Sequence, residues 1–229
     1  MKKILGVLLV SCLLVATPLL LPACVTKEGQ LPTWEIEDKW VWSYVMDGTT
    51  ATLTEEVTGE ETVEGRVCYV IEMSFDPVIS STHDGVVYTT TVMKYWNDKA
   101  TGLLGIKHES SGTYNGTAFT SITTYSYNPW SSIFPLEIGK EVETEKTSTQ
   151  YWDGTQFGEP VVTTEKYKVV SKEDVTVTAG TFSCWKITYY DSASGTTQTM
   201  WWSDEAKTMV KSMDAEGNTV MELQSYSVS

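Results

Sequence analysis

Lys39-Trp40-Val41-Trp42-Ser43-Tyr44-Val45-Met46, followed by Asp47-Gly48, decides the fold class. Trp40, Trp42, Tyr44 and Met46 fall on one face of an extended chain, with Lys39 and Ser43 on the other. This period of two is the pattern of a strand with one covered face and one wet face. Asp-Gly then supplies the positive φ that a tight hairpin turn needs. A second stripe repeats the reading: Val67, Tyr69, Ile71, Met73 and Phe75 alternate with residues that include Glu72 and Ser74.

Working outward, no stretch after Trp34 sustains a helical period. Thr, Val, Tyr and Trp dominate, and these suit a pleated sheet. Asp84-Gly85, Asn115-Gly116, Asp153-Gly154, Ser194-Gly195 and Gly217-Asn218 punctuate β-type runs. Strands are expected at 39–46, 50–58, 66–75, 86–96, 102–111, 117–127, 141–152, 161–171, 181–190, 197–203, 207–213 and 219–227. The fold class is all-β: a large curled antiparallel sheet or incomplete barrel of about 12 strands. Residues 141–148 are polar on both faces and are expected at a rim or edge, where charge blocks edge-to-edge pairing.

The sheet divides into two six-stranded repeats, with halves at about 34–128 and 129–229. Trp96-Asn97-Asp98-Lys99-Ala100 aligns with Trp202-Ser203-Asp204-Glu205-Ala206, and Ile36 with Ile138. Gly65-Arg66-Val67-Cys68-Tyr69-Val70-Ile71 aligns with Gly180-Thr181-Phe182-Ser183-Cys184-Trp185-Lys186-Ile187. After each Cys an aromatic and then Ile follow in strand phase, so both thiols lie opposite the apolar stripe. Cys68 and Cys184 are either a disulfide joining the halves or two separate thiols.

Residues 1–23 read as an export signal: Lys2 and Lys3 precede an uncharged run from Ile4 to Leu21. Leu21-Pro22-Ala23-Cys24 resembles a bacterial lipobox, with Pro22 where a small residue is usual. The resemblance implies cleavage before Cys24 and acylation of it, with a short tether over 24–33. Two or three acyl chains, palmitate among them, would anchor the body firmly to the cell membrane on its extracytoplasmic face.

The chain has 229 residues and a formal net charge of -14, which leaves no basic stripe for tracking phosphates, so a nucleic-acid partner is not expected. Only two histidines are present, His83 beside a turn and His108 in a strand, and no metal or other cofactor is expected. No nucleophile elbow, P-loop or EF-hand loop occurs, so no catalytic residue is assigned and the protein is expected not to be an enzyme. Glu55-Glu56, Glu60-Glu61 and Glu173-Asp174 read as solvated charges at hairpin ends. Trp96, Trp130, Trp202, Tyr125 and Tyr127 are the candidate ligand-binding aromatics, placed at strand ends and in the connector between halves.

The second half carries Val177-Thr178-Ala179-Gly180-Thr181-Phe182, Trp185-Lys186-Ile187, Trp201-Trp202-Ser203 and Glu222-Leu223-Gln224-Ser225-Tyr226, after Phe134-Pro135-Leu136. This resembles the tail of a group of uncharacterised prokaryotic envelope proteins. The resemblance implies a curled sheet with a concave apolar face, similar to lipoprotein-carrier folds, and names no activity. The expected function is a lipid-anchored, non-enzymatic envelope protein that binds a lipid, another apolar ligand or a partner. The alternatives are a carbohydrate or cell-wall module using exposed Trp and Tyr, and a purely structural surface lipoprotein.

Overall fold

The computed structural model describes residues 28–229 apart from 47, 79, 84–85 and 102–103, so the leader and Cys24 lie outside the described residues. The strands in chain order are β1 (Lys39–Met46), β2 (Thr49–Val63), β3 (Arg66–Asp76), β4 (Ser80–His83), β5 (Val86–Asp98), β6 (Gly105–Tyr114) and β7 (Thr117–Asn128). Then follow β8 (Glu141–Trp152), β9 (Thr155–Gln156), β10 (Val161–Val177), β11 (Gly180–Asp191), β12 (Thr196–Ser203), β13 (Thr208–Met213) and β14 (Thr219–Ser227). The described residues contain no helix.

Twelve strands form a closed antiparallel ring in which each pairs with its neighbours in sequence. β14 returns to pair with β1, and β8 joins the halves by pairing with both β7 and β10. The two short strands lie off the ring: β4 pairs with β5, and β9 with the end of β8. Closure removes the open edges that a curled sheet would leave for aggregation.

The expected strands match the ring, and closure goes one step beyond an incomplete barrel. The polar run at 141–148 is not an edge. Thr144 and Lys146 face inward there, opposite Glu165 and Thr163 on β10, while Glu141 and Glu143 face out and pair with Lys168 and Lys166. Both faces are polar because this sector of the interior is itself polar. Lys146 pairs with Glu165, which also accepts hydrogen bonds from the Tyr167 and Tyr189 hydroxyls.

Most of the apolar core lies inside the ring at β14, β1, β2 and β3. Trp40, Trp42 and Leu53 are almost wholly buried, and Leu223 completely so. The Trp40 and Trp42 indoles donate to the carbonyls of Ala206 and Met209, so neither buried N–H is left without a partner. One end of the barrel is plugged by the segment leading into β1 and by the connector at 129–140. The chain is already packed from Gly29, inside the stretch expected to be a tether. The Gly29 N–H donates to Asp204, and its carbonyl accepts from Leu136. Its φ is +71°, and a Cβ there would lie 2.6 Å from the Leu136 carbonyl oxygen, so only glycine fits.

The two halves share local detail. β2 bulges between Val57 and Gly59 against β3, and β10 bulges between Val169 and Ser171 against β11. β6 carries an extra residue at Ile106 and β13 at Val210, and both are buried. The Trp96 indole donates to Glu61 and the Trp201 indole to Glu173. Lys107 lies over the first ring and Lys211 over the second. The register therefore pairs Trp96 with Trp201, one residue from the alignment read from sequence, because the turn into β6 is longer than the turn into β13.

The same register places Cys68 on β3 and Cys184 on β11, each opposite the last residue of the next ring strand. Both are buried free thiols, not a bridge. In a ring of twelve, equivalent strands of the two halves lie six places apart, on opposite sides of the barrel. A twofold relation along a barrel axis separates equivalent residues, so the two thiols lie in different clusters, Cys68 with Val70, Trp96 and Ile106 and Cys184 in the larger one with Phe182 and Trp201.

Candidate binding site

The stripe Ala51, Leu53, Glu55, Val57 faces the interior, and three of its four members are ordinary core residues. Glu55 is the exception. It lies opposite Trp40 on β1 and Met73 on β3. Ile71 lies opposite Tyr95, and Tyr69 opposite Asn97, on the next pair of strands. Trp34, in the segment that plugs the barrel end, closes over this corner. Its ring sits 5.1 Å from that of Trp40 and 5.3 Å from that of Tyr69, and its indole donates to the Lys207 carbonyl.

These elements leave a recess of about 170 Å³ lined by Trp34, Glu55, Ile71, Met73, Tyr95 and Asn97. Four of the six are apolar or aromatic and two, Glu55 and Asn97, are polar, which is the usual make-up of a small-molecule site. Among the described residues, Glu55 makes no hydrogen bond and no ion pair. Desolvation by burial pushes its carboxyl up to about 7. Burial likewise raises the Tyr95 phenol, helped by Tyr125, Glu55 and Tyr44. The far face of Tyr95 is stacked on His108, with ring centroids 4.4 Å apart and planes 10° from parallel. Burial pushes His108 down, and its Nε2 has no partner.

The aromatics singled out in the sequence lie elsewhere and do not form one rim. Trp96 is buried outside the barrel wall with Cys68, Val70 and Ile106, and Trp130 packs against that cluster. Trp130 also stacks under Arg66, at 3.7 Å, and meets Tyr127 edge-on. Tyr127 donates to the Gly105 carbonyl, and burial raises both its phenol and that of Tyr125. Trp202 packs inside the opposite half with Phe134, Met200 and Tyr167. Trp96 is buried, and Tyr125, Tyr127, Trp130 and Trp202 are half-buried.

One of the acidic pairs is corrected as well. Glu55 and Glu56 sit in mid-strand on opposite faces, and Glu56 pairs outside with Lys39. Glu61 and Glu173 are indole acceptors in long hairpins, and Glu60 pairs with Lys99. His83 ends β4. Among the described residues no group of three metal-ligating side chains occurs. Glu55 was the functional candidate missed in the sequence. The signal was present: an acid in phase with an apolar stripe.

Residues 133–228 match the DUF3108-like family model. That span begins in the connector and takes in the second half of the ring. No curated protein matches the chain. Two solved structures are similar over most of its length. One, from Bacteroides fragilis, is described as an exported protein with a YmcC-like fold. It has 11% identity and a TM-score of 0.42, covering 86% of this chain and 99% of that one. The other, from Parabacteroides distasonis, is described as a lipoprotein. It has 14% identity and a TM-score of 0.41, covering 88% and 100%.

Proposed function

We propose that this is a non-enzymatic lipoprotein of the cell envelope. Acyl chains on Cys24 moor it to the extracytoplasmic face of the cell membrane, and its barrel takes up a small ligand with an apolar body. The observation that carries the reading is the recess under Trp34, where the Glu55 carboxylate has no partner among the described residues and stands beside hydrocarbon and aromatic walls. Glu55 is half-buried, and a desolvated carboxylate left unpaired there costs stability, so its retention favours a ligand-facing role over a purely structural one. Closure of the ring turns the expected concave apolar face into the barrel interior. The glycan-binding alternative is less favoured, because the aromatics it needed are dispersed and at least partly buried.

Two measurements test the proposal. The mass of the native product should correspond to a chain beginning at Cys24 and carrying acyl groups; an intact leader with a bare thiol refutes the mooring. Titration of the protein with small aromatic and aliphatic molecules, followed by Trp fluorescence, should give saturable binding that Asn97→Trp abolishes. No saturable binding by any of them refutes the ligand role.

A further inference from the structure

The two halves place different residues around the same geometric corner. Register equates Glu55 with Tyr167, Tyr95 with Met200, and Asn97 with Trp202. In the second half, Tyr167, Met200 and Trp202 pack with Leu136, Ile187 and Phe134 into a filled cluster. The scaffold can therefore close this corner with uncharged side chains. In the first half it is left open, with a carboxylate in it.

Among the described residues no positive group serves that carboxylate. The titratable groups coupled to Tyr95 are Tyr125, Tyr44 and Glu55 itself. His108 lies behind the Tyr95 ring, and burial disfavours its charged form. Lys99, on the turn after β5, lies over the buried Tyr69 ring and is coupled to Glu60, Tyr69 and Glu35, not to Glu55. What remains is an anion beside an indole and a phenol ring, in a chain of formal net charge -14. Carboxylate and aromatic faces together suit one ligand charge: a cation is attracted by both, whereas an anion is repelled by both.

We infer that the recess is a binding site for a small organic cation, an amine with an apolar body, whose ammonium pairs with Glu55 between Trp34 and Tyr95. This deepens the proposed ligand-binding function and rests on it. The apolar part lies against Ile71 and Met73, and Asn97 offers the amine a further acceptor. Ligand charge and protein charge are linked: the site is strongest where Glu55 is ionised and the amine still protonated, and it weakens as acid protonates Glu55.

The test uses the full-length chain in detergent micelles, with benzylamine and its neutral isostere benzyl alcohol as probes, titrated by calorimetry at pH 8 and at pH 5. At pH 8 benzylamine should bind at least about tenfold more tightly than benzyl alcohol, a preference on the order of that for one charge-assisted hydrogen bond. The preference should collapse at pH 5 and in Glu55→Gln, while benzyl alcohol binding survives in both. Asn97→Trp, which installs the residue of the filled half, should remove binding of both probes. Equal binding of the two probes at pH 8, unaffected by Glu55→Gln, overturns the cation assignment and leaves the ligand-binding role standing. Binding of neither probe overturns the inference and the role together.

Discussion

The β2–β3–β5 corner and the β10–β11–β12 corner are built alike and filled differently. Both have a bulge in the first strand, a buried Val at it, an Ile on the second strand and a Trp held by a hairpin Glu. In the second corner Tyr167, Met200 and Trp202 complete a packed cluster. In the first, Glu55, Tyr95 and Asn97 leave a recess. Backbone geometry in a meander barrel is thus set by hairpins and bulges, while the choice of inward side chain decides between core and pocket.

Removing bulk should expose the difference most strongly. Trp202→Ala should cost about 3 kcal/mol, as cavity-forming substitutions of large aromatics do, whereas its counterpart Asn97→Ala should cost less than about 1 kcal/mol. Urea unfolding with unchanged slope is the measurement. Similar losses at the two positions would mean that the first corner is as tightly packed as the second.

Glu55 should make stability depend on pH. Its carboxyl titrates near 7 in the fold against an ordinary value of 4.5. Below pH 4.5 it is protonated in both states and carries no penalty. As pH rises from there to about 7, the unfolded chain ionises first and stability falls; the loss is complete above pH 7, on the order of 3 kcal/mol. Glu55→Gln should therefore be more stable than the parent at pH 8 and nearly equal to it at pH 4. Unfolding midpoints across that range read the slope directly. Tyr167, its counterpart, faces the same interior without such a slope, because burial and the neighbouring Glu165 raise its phenol well above its ordinary value.

The thiols give a smaller and symmetric effect. Cys68→Ala and Cys184→Ala should each cost about 1 kcal/mol, and the double variant should lose the sum, since the sites share no partner. A cross-link would instead make either single change cost roughly 4–5 kcal/mol and the second change nothing further. Smallest of all, Glu61→Gln and Glu173→Gln should each cost less than about 1 kcal/mol and by similar amounts, because both acceptors are solvent-exposed. Unequal losses would show that the two clamps differ in energy despite their shared geometry.

Much of this was legible in residues. The Trp40-Trp42-Tyr44 stripe and the Asp-Gly turns predicted the ring strands, since a period of two has only one structural reading. β4 and β9 escaped because strands of four and two residues carry too little pattern. The 141–148 run was misplaced because polarity on both faces means an edge in an open sheet but a polar interior in a closed one. Glu55 was read as a loop charge because its neighbour Glu56 is an outward one, and adjacent residues in a strand point to opposite sides.

Alternation, turn chemistry and the order of hairpins are properties of neighbouring residues, so the amino-acid sequence alone determined an all-β meander and the six-and-six division of its strands. Closure through β8, the opposite placement of Cys68 and Cys184 and the recess at Glu55 were decided only in three dimensions. Each depends on contacts between residues far apart in the chain, and a one-dimensional pattern cannot say which inward side chains meet across the barrel and which leave a space.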